Sequence, residues 1–354
     1  MAPINSEAAA EVDGALKNLP TDAFVEILLR LPPSSRWRFR LVSWHWRAVI
    51  DEGTPRGQPK ALLFCVNTTM VSASSAYVVD DLSSDGRSRE IWRQYRRHDR
   101  MIGTCNGLLC LCGGTNPIAL ANPVTGETLD VPPCPGYRIW QESWKAFSFG
   151  FHLPTGLYKI VRLPRADGFS ELQVLTLGDA SWRDVPVPGG SSSYRLDAGL
   201  VSVDGSTFWV TKGAERVVSF DLGDESFANV ALPVDVGGGR YRCHQLTEVW
   251  VLGEGRDRHK WSRRYSVQVQ GVAQLLARPH FAHGEYVLTT ERGTKVFGHR
   301  LRDGGRPLVS GEVRSVRIRD PGTPVAGIAT NSFIRGTFAY VETTEPLSCY
   351  RLDS

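Results

Sequence analysis

Three groups of side chains have residue types and spacing that could carry chemistry. Cys105, Cys110 and Cys112 could offer thiolates to a metal; His280 and His283, with Glu285 close behind, could start a metal site; and Cys243 beside His244 could form an activated thiol. Each fails on its spacing. The cysteines are separated by four residues and then by one, along an apolar strand pattern, which does not suit a tetrahedral zinc site. They are expected to be buried strand thiols. Nothing beyond Glu285 completes the histidine pair, and neighbours in a strand point to opposite faces, which separates Cys243 from His244. Gly113-Gly114 and Gly237-Gly238-Gly239 lack the Lys-Ser/Thr of a phosphate-binding loop, and no Gly-x-Ser-x-Gly is present. No catalytic set, cofactor or metal is expected.

Two stretches interleave arginine with aromatic residues, as some nucleic-acid surfaces do. One runs from Arg87 to Arg100; the other comprises Arg256, Arg258, Lys260, Trp261, Arg263 and Arg264. The formal net charge of +4 over 354 residues is too small to argue for nucleic acid by itself. Solvated loops explain both stretches, with an acidic protein substrate as the residual use. The seven cysteines are odd in number and irregularly spaced, which reads as free thiols in a reducing compartment.

The elements that must position such residues are mostly short strands. From Lys60 onward, runs rich in Val, Leu, Phe, Tyr and Trp alternate with Gly, Pro, Asp and Asn clusters. The clearest strand candidates are 62–66, 107–112, 118–122, 147–151, 158–163, 172–177, 207–211, 217–222, 248–252, 265–269 and 285–289. A loose repeat of strand, polar turn, strand and proline passes through Asn122-Pro123-Val124-Thr125-Gly126, Leu177-Gly178-Asp179 and Phe220-Asp221-Leu222-Gly223. Its period, on the order of forty to sixty residues, fits the four-stranded blades of a β-propeller.

The chain start reads differently. Phe24, Ile27, Leu28 and Leu31 recur at helical spacing and form one stripe, with Thr21 or Asp22 as N-cap and Pro32-Pro33 as the stop. A second short helix through Trp37, Phe39 and Leu41 and a third through Trp46, Val49 and Ile50 follow. So small a unit buries little surface alone and asks for a second protein to cover it. Between Ile27 and Ile50 there are five arginines and no acid, which suits an acidic partner surface.

Leu19-Pro20, Glu26-Ile27-Leu28, Leu31-Pro32, Arg38-Phe39-Arg40-Leu41-Val42-Ser43 and Trp46-Arg47 together resemble an F-box, the motif that docks a substrate receptor onto a Skp-type adaptor. The resemblance assigns adaptor contact to Leu19, Pro20, Ile27, Leu28, Leu31, Pro32, Leu41, Val42 and Ser43, and gives Trp46 the task of holding the third helix. Leu28→Asp is then expected to abolish adaptor binding. Pro33 and Arg36 stand where many F-boxes carry an aliphatic residue, which implies a weaker hold on the adaptor. Gly103-Thr104-Cys105-Asn106-Gly107-Leu108-Leu109, Asn122-Pro123-Val124-Thr125-Gly126, Gly150-Phe151-His152, Ser219-Phe220-Asp221-Leu222 and Glu248-Val249-Trp250-Val251-Leu252 are similar, in order, to the plant F-box-associated domain, whose members are propeller-like substrate-recognition modules.

The expected organisation is multidomain, α followed by all-β: a disordered start over 1–15, a three-helix F-box over 16–55, and a β-propeller-like F-box-associated domain over 60–354. The implied function is the substrate-recognition subunit of an SCF-type ubiquitin ligase, itself not an enzyme. Its partners would be a Skp-type adaptor, through it a cullin ligase, and an unknown protein substrate. The alternatives are a β-propeller enzyme with a central-channel site and a basic nucleic-acid-binding module. No run of about 18 apolar residues occurs, so no membrane span is expected. Residues 1–15 lack the apolar core of a signal peptide, which points to cytoplasm or nucleus.

Overall fold

The computed structural model describes residues 20–32, 35, 36, 39, 44–53, 59–67, 73–80, 88–95, 100–113, 118–136, 143–164, 167–189, 192–196, 198–213, 216–232, 246–252, 261–268, 274–276, 282–283, 286–291, 295–300, 315–318 and 332–352. Two helices come first: α1, Thr21–Arg30, and α2, Trp44–Gly53. The middle helix expected through Trp37 and Leu41 lies largely outside the described residues.

Strands fill the rest. The first sheet holds β1 (Lys60–Asn67), β2 (Ala73–Val79) and β3 (Ser88–Tyr95). The second is β4 (Arg100–Cys105), β5 (Leu108–Cys112), β6 (Ala119–Ala121) and β7 (Thr128–Asp130). The third is β8 (Phe147–His152), β9 (Leu157–Arg162), β10 (Glu171–Thr176) and β11 (Arg183–Pro186). The fourth is β12 (Val201–Val203), β13 (Ser206–Val210), β14 (Arg216–Asp221) and β15 (Phe227–Ala231). A pair follows, β16 (Leu246–Leu252) with β17 (Trp261–Gln268). The sixth sheet has β18 (Gln274–Leu276), β19 (Ala282–His283), β20 (Tyr286–Glu291), β21 (Lys295–Arg300) and β22 (Ser315–Ile318). Finally β23 (Ser332–Tyr340) returns to pair antiparallel with β1, giving the first sheet the order β23-β1-β2-β3.

This is a β-propeller, and its ring is closed by joining the two ends of the strand series in one sheet. The inner strands β23, β4, β8 and β12 lie side by side in that order. The core lies between the blades. Leu109 and Leu111 of β5 pack towards the first sheet, while Leu108, Cys110 and Cys112 pack towards the third. A strand covered on both faces therefore reads as an unbroken apolar run, Leu-Leu-Cys-Leu-Cys, and the period of two survives only in which neighbour each residue meets.

Alternating strand direction sorts the connections onto two faces. One carries the short turns, such as 106–107, 122–127, 153–156, 177–182, 204–205 and 222–226. The other carries the far longer crossovers from the second sheet to the third and from the third to the fourth, described over 131–136, 143–146, 187–189, 192–196 and 198–200. We call these the turn face and the loop face. Tyr340, at the end of β23, pairs with Lys60 at the start of β1. The Thr104 hydroxyl near the end of β4 donates to the Ala339 carbonyl, so both strand ends lie on the turn face. The helices are therefore tethered to the turn face, by a linker from Gly53 to Lys60 that spans at most about 25 Å.

Candidate protein-docking surfaces

The helical head has a small core of its own. Phe24 and Leu28 from α1 and Trp46, Val49 and Ile50 from α2 are buried together. Phe24 meets Trp46 edge-on at 4.7 Å between ring centroids, and Phe39 lies 5.1 Å from Trp46. Two expectations change here. Pro20 rather than Thr21 or Asp22 is the N-cap, and its carbonyl accepts from the Phe24 amide at 3.1 Å. The expected single stripe also divides. Phe24 and Leu28 turn inward, whereas Ile27 is 47% exposed, because it stands about 100° round the helix from Leu28.

Leu28, assigned to adaptor contact by resemblance, is wholly buried in the head's own core. A charge there would test folding before docking. Pro20 and Ile27 are exposed, Leu31 and Pro32 are half-buried, and Leu19, Leu41, Val42 and Ser43 lie outside the described residues. Trp46 is buried between the helices, where it was expected to hold the third one. Sequence reading passed over Trp44, which is 83% exposed. Its signal was its place in α2: Trp46, Val49 and Ile50 define the inward stripe, and Trp44 falls on the opposite side with Arg47 and Ala48. Arg36 is half-buried; burial lowers its pKa, and the charge of Glu345 on the turn face opposes that shift.

Two of the motifs that carried the second resemblance, those at 103–109 and 122–126, meet the C-terminal tail. After β23 the chain runs across the turn face of the second sheet. Gly107, at φ +84°, lies against Val341 and Thr343, and a Cβ there would stand 2.6 Å from the Thr343 methyl. Asn122 accepts the amides of Val124 at 2.9 Å and Thr125 at 3.3 Å, while its Nδ2 donates to the Glu345 carbonyl at 2.8 Å. The Glu127 carboxylate accepts the Leu347 amide at 3.0 Å, which is the main reason its pKa is lowered. The buried Glu345 carboxylate accepts the Tyr350 hydroxyl at 3.0 Å. Asn106 donates to the Tyr158 hydroxyl at 3.2 Å, and burial, reinforced by Glu345, holds the Tyr158 pKa well above its ordinary value.

A polar seam joins the third and fourth sheets on the same face. Lys159 is buried and donates to Glu225 at 2.9 Å; Arg183 grips both oxygens of the same carboxylate. The Arg183 hydrogen bond, followed by that of Lys159, holds the Glu225 pKa down. His152 accepts or donates at Thr155 over 2.9 Å, and its pKa is lowered first by burial.

The other candidate side chains among the described residues are buried or ion-paired. Cys110 and Cys112 are buried on β5 and Cys105 is half-buried on β4; burial pushes the Cys105 thiol up to about 12 and Cys110 well above its usual value. Such thiols stay protonated and unreactive near neutrality. In the first arginine stretch, Arg89 pairs with Glu342 at 2.9 Å and approaches Asp80 at 3.9 Å, and Arg93 pairs with Glu90. Cys243, His244, His280, Arg256, Arg258 and Lys260 lie outside the described residues, as do the side chains of His283 and of Trp261 to Arg264. A cleft of about 520 Å³ opens between the second and third sheets, with Asp130, Asp179, Leu177 and Tyr350 on its walls.

Comparison with known proteins fits this architecture. Residues 64–274 match the F-box associated beta propeller domain, and residues 16–53 match the F-box domain. The chain belongs to the F-box associated β-propeller family. F-box protein At3g07870 of Arabidopsis thaliana is 27% identical over 76% of this chain and 78% of its own length. Putative F-box protein At1g47790 of the same plant is 27% identical over 79% of this chain and 81% of its own. Among solved structures, the β-propeller domain of Myceliophteria thermophila Cps50 (Swd1) resembles 71% of this chain and 86% of its own at 12% identity and a TM-score of 0.37, a likeness too distant to bear on function. No helix among the described residues is long and apolar enough to cross a membrane.

Proposed function

We propose that this chain is the substrate-recognition subunit of an SCF-type ubiquitin ligase. The F-box docks a Skp-type adaptor, and through it a cullin ligase, while the loop face of the propeller holds a target protein. The chain makes and breaks no bond itself; it raises the local concentration of target beside the ubiquitin machinery. Its place of work is the cytoplasm or nucleus. The observation that carries the reading is the chain path: the helical head is tethered to the turn face, and the long crossovers that follow β7 and β11 leave from the opposite one. Long surface connections on a rigid scaffold are where binding specificity is usually built. Adaptor and target can then be held together without competing for one surface.

Co-expression with a Skp-type adaptor tests this. The wild type should elute with the adaptor as a one-to-one complex, and Ile27→Asp should not, although its melting temperature stays that of the wild type. A folded wild-type chain that ignores the adaptor would overturn the assignment.

A further inference from the structure

We infer that Trp44 is an anchor of the adaptor interface, seated in an apolar pocket of the partner with an acidic rim that receives Arg47. This rests on the receptor reading above and names a residue that the resemblance did not assign to docking. Four observations on the head carry it.

First, Trp44 is 83% exposed, the highest value among the large apolar side chains of the described residues. An indole in water at the start of a helix with a well-formed core of its own is costly unless something covers it. Second, α1 also exposes large apolar side chains, Ile27 at 47% and Leu29 at 42%, on sides of that helix about 200° apart. Third, α2 is ordered by its inward stripe of Trp46, Val49 and Ile50, which fixes Trp44 and Arg47 on the outward side at i, i+3 spacing. The Arg47 guanidinium sits 5.5 Å from the centre of the Trp44 ring, which steadies the ring before binding. A side chain already held in one pose loses less entropy on docking.

Fourth, charge selects the occupant. Between Ile27 and Ile50 the head has five arginines and no acid; Arg47 is exposed beside Trp44, whereas Arg30 pairs with Glu26 at 3.5 Å. The surface therefore fits an apolar pocket in an acidic protein, and it does not fit a second copy of the same basic face. Tryptophan and arginine are also the side chains that most often dominate interface energies, with the neighbouring contacts excluding water.

The test is a calorimetric titration of a Skp-type adaptor into the full-length chain, wild type and variants, with melting curves on each. Trp44→Ala should weaken binding at least tenfold while leaving the melting temperature within a degree, because the ring covers none of the head's core. Trp44→Phe should recover part of that loss. Arg47→Glu should weaken binding several-fold at low salt and less at high salt. If the wild type binds and Trp44→Ala binds within twofold of it, the anchor is overturned and the receptor reading stands. If the wild type does not bind, both fall together. A Trp44→Ala chain that melts well below the wild type would show the ring to be a packing residue, which also overturns the proposal.

Discussion

The second and fourth sheets end their outer hairpins with the same turn and use it for different work. Asn122 and Asp221 each accept two backbone amides from residues just ahead of them, and four residues on the backbone enters the left-handed region, at Gly126 with φ +74° and at Glu225 with φ +62°. In the second sheet the accepting side chain is an amide with a donor to spare, and that donor captures the Glu345 carbonyl of the tail. In the fourth it is a carboxylate without a donor, and holding the third sheet falls to Glu225, which binds Lys159 and Arg183. The oxygen of Asn or Asp sets the turn; the other atom of the group decides whether the turn also reaches across to something else.

Substitutions can break or sharpen that contrast. Gly107→Ala should be the most damaging, at about 3 kcal/mol or more, since a Cβ meets the tail and the left-handed backbone adds its own strain. Denaturant midpoints would measure it, and a loss under 1 kcal/mol would mean that the tail is not held tightly there. Asn122→Asp should cost about 2 kcal/mol, because the turn survives but the buried Glu345 carbonyl loses its donor. Asp221→Asn, which keeps both turn acceptors, should cost less than about 0.5 kcal/mol. Equal losses in these two variants would erase the distinction.

Glu225→Gln should cost about 1–2 kcal/mol by leaving buried Lys159 without its carboxylate. The pH dependence follows from the direction of the shift. A carboxyl held below its unfolded pKa stabilises the fold above that value and loses the contribution as pH falls through the folded pKa. Stability of the wild type should therefore decline from about pH 5 downward, and that of Glu225→Gln less steeply; parallel curves would show that Glu225 carries none of the acid sensitivity. Gly126→Ala should cost less than Gly107→Ala, about 1 kcal/mol, since its φ is positive but a Cβ there would meet nothing.

Much of the propeller was legible because its strands are covered on both faces. Leu108–Cys112 announces itself as an apolar run whatever blade it belongs to. Strand β3 did not: Ser-Arg-Glu-Ile-Trp-Arg-Gln-Tyr is the outer strand of its sheet, so charged residues are tolerated along it, and it read as a basic surface. The head shows the opposite limit. Helical spacing placed Phe24, Ile27, Leu28 and Leu31 on one side, but a stripe that broad spans both a core face and a docking face. Periodicity gives the angle of a residue around a helix, and only the neighbours settle which part of that arc is inside.

The sequence by itself determined the Asn and Asp turns and the most apolar strands. These depend on contacts a few residues apart: an Asn or Asp oxygen reaching the next amides, proline ending a helix, apolar residues in runs. Tertiary structure alone decided that β23 would become the inner strand of the first sheet, that the tail would lie on Asn106-Gly107 and Asn122, and that Leu28 would face inward while Trp44 faced out. The register Phe64↔Gly336 joins residues at opposite ends of the strand series. Its selection depends on the closure of the whole ring, which removes the two open edges at once, and no local preference encodes that.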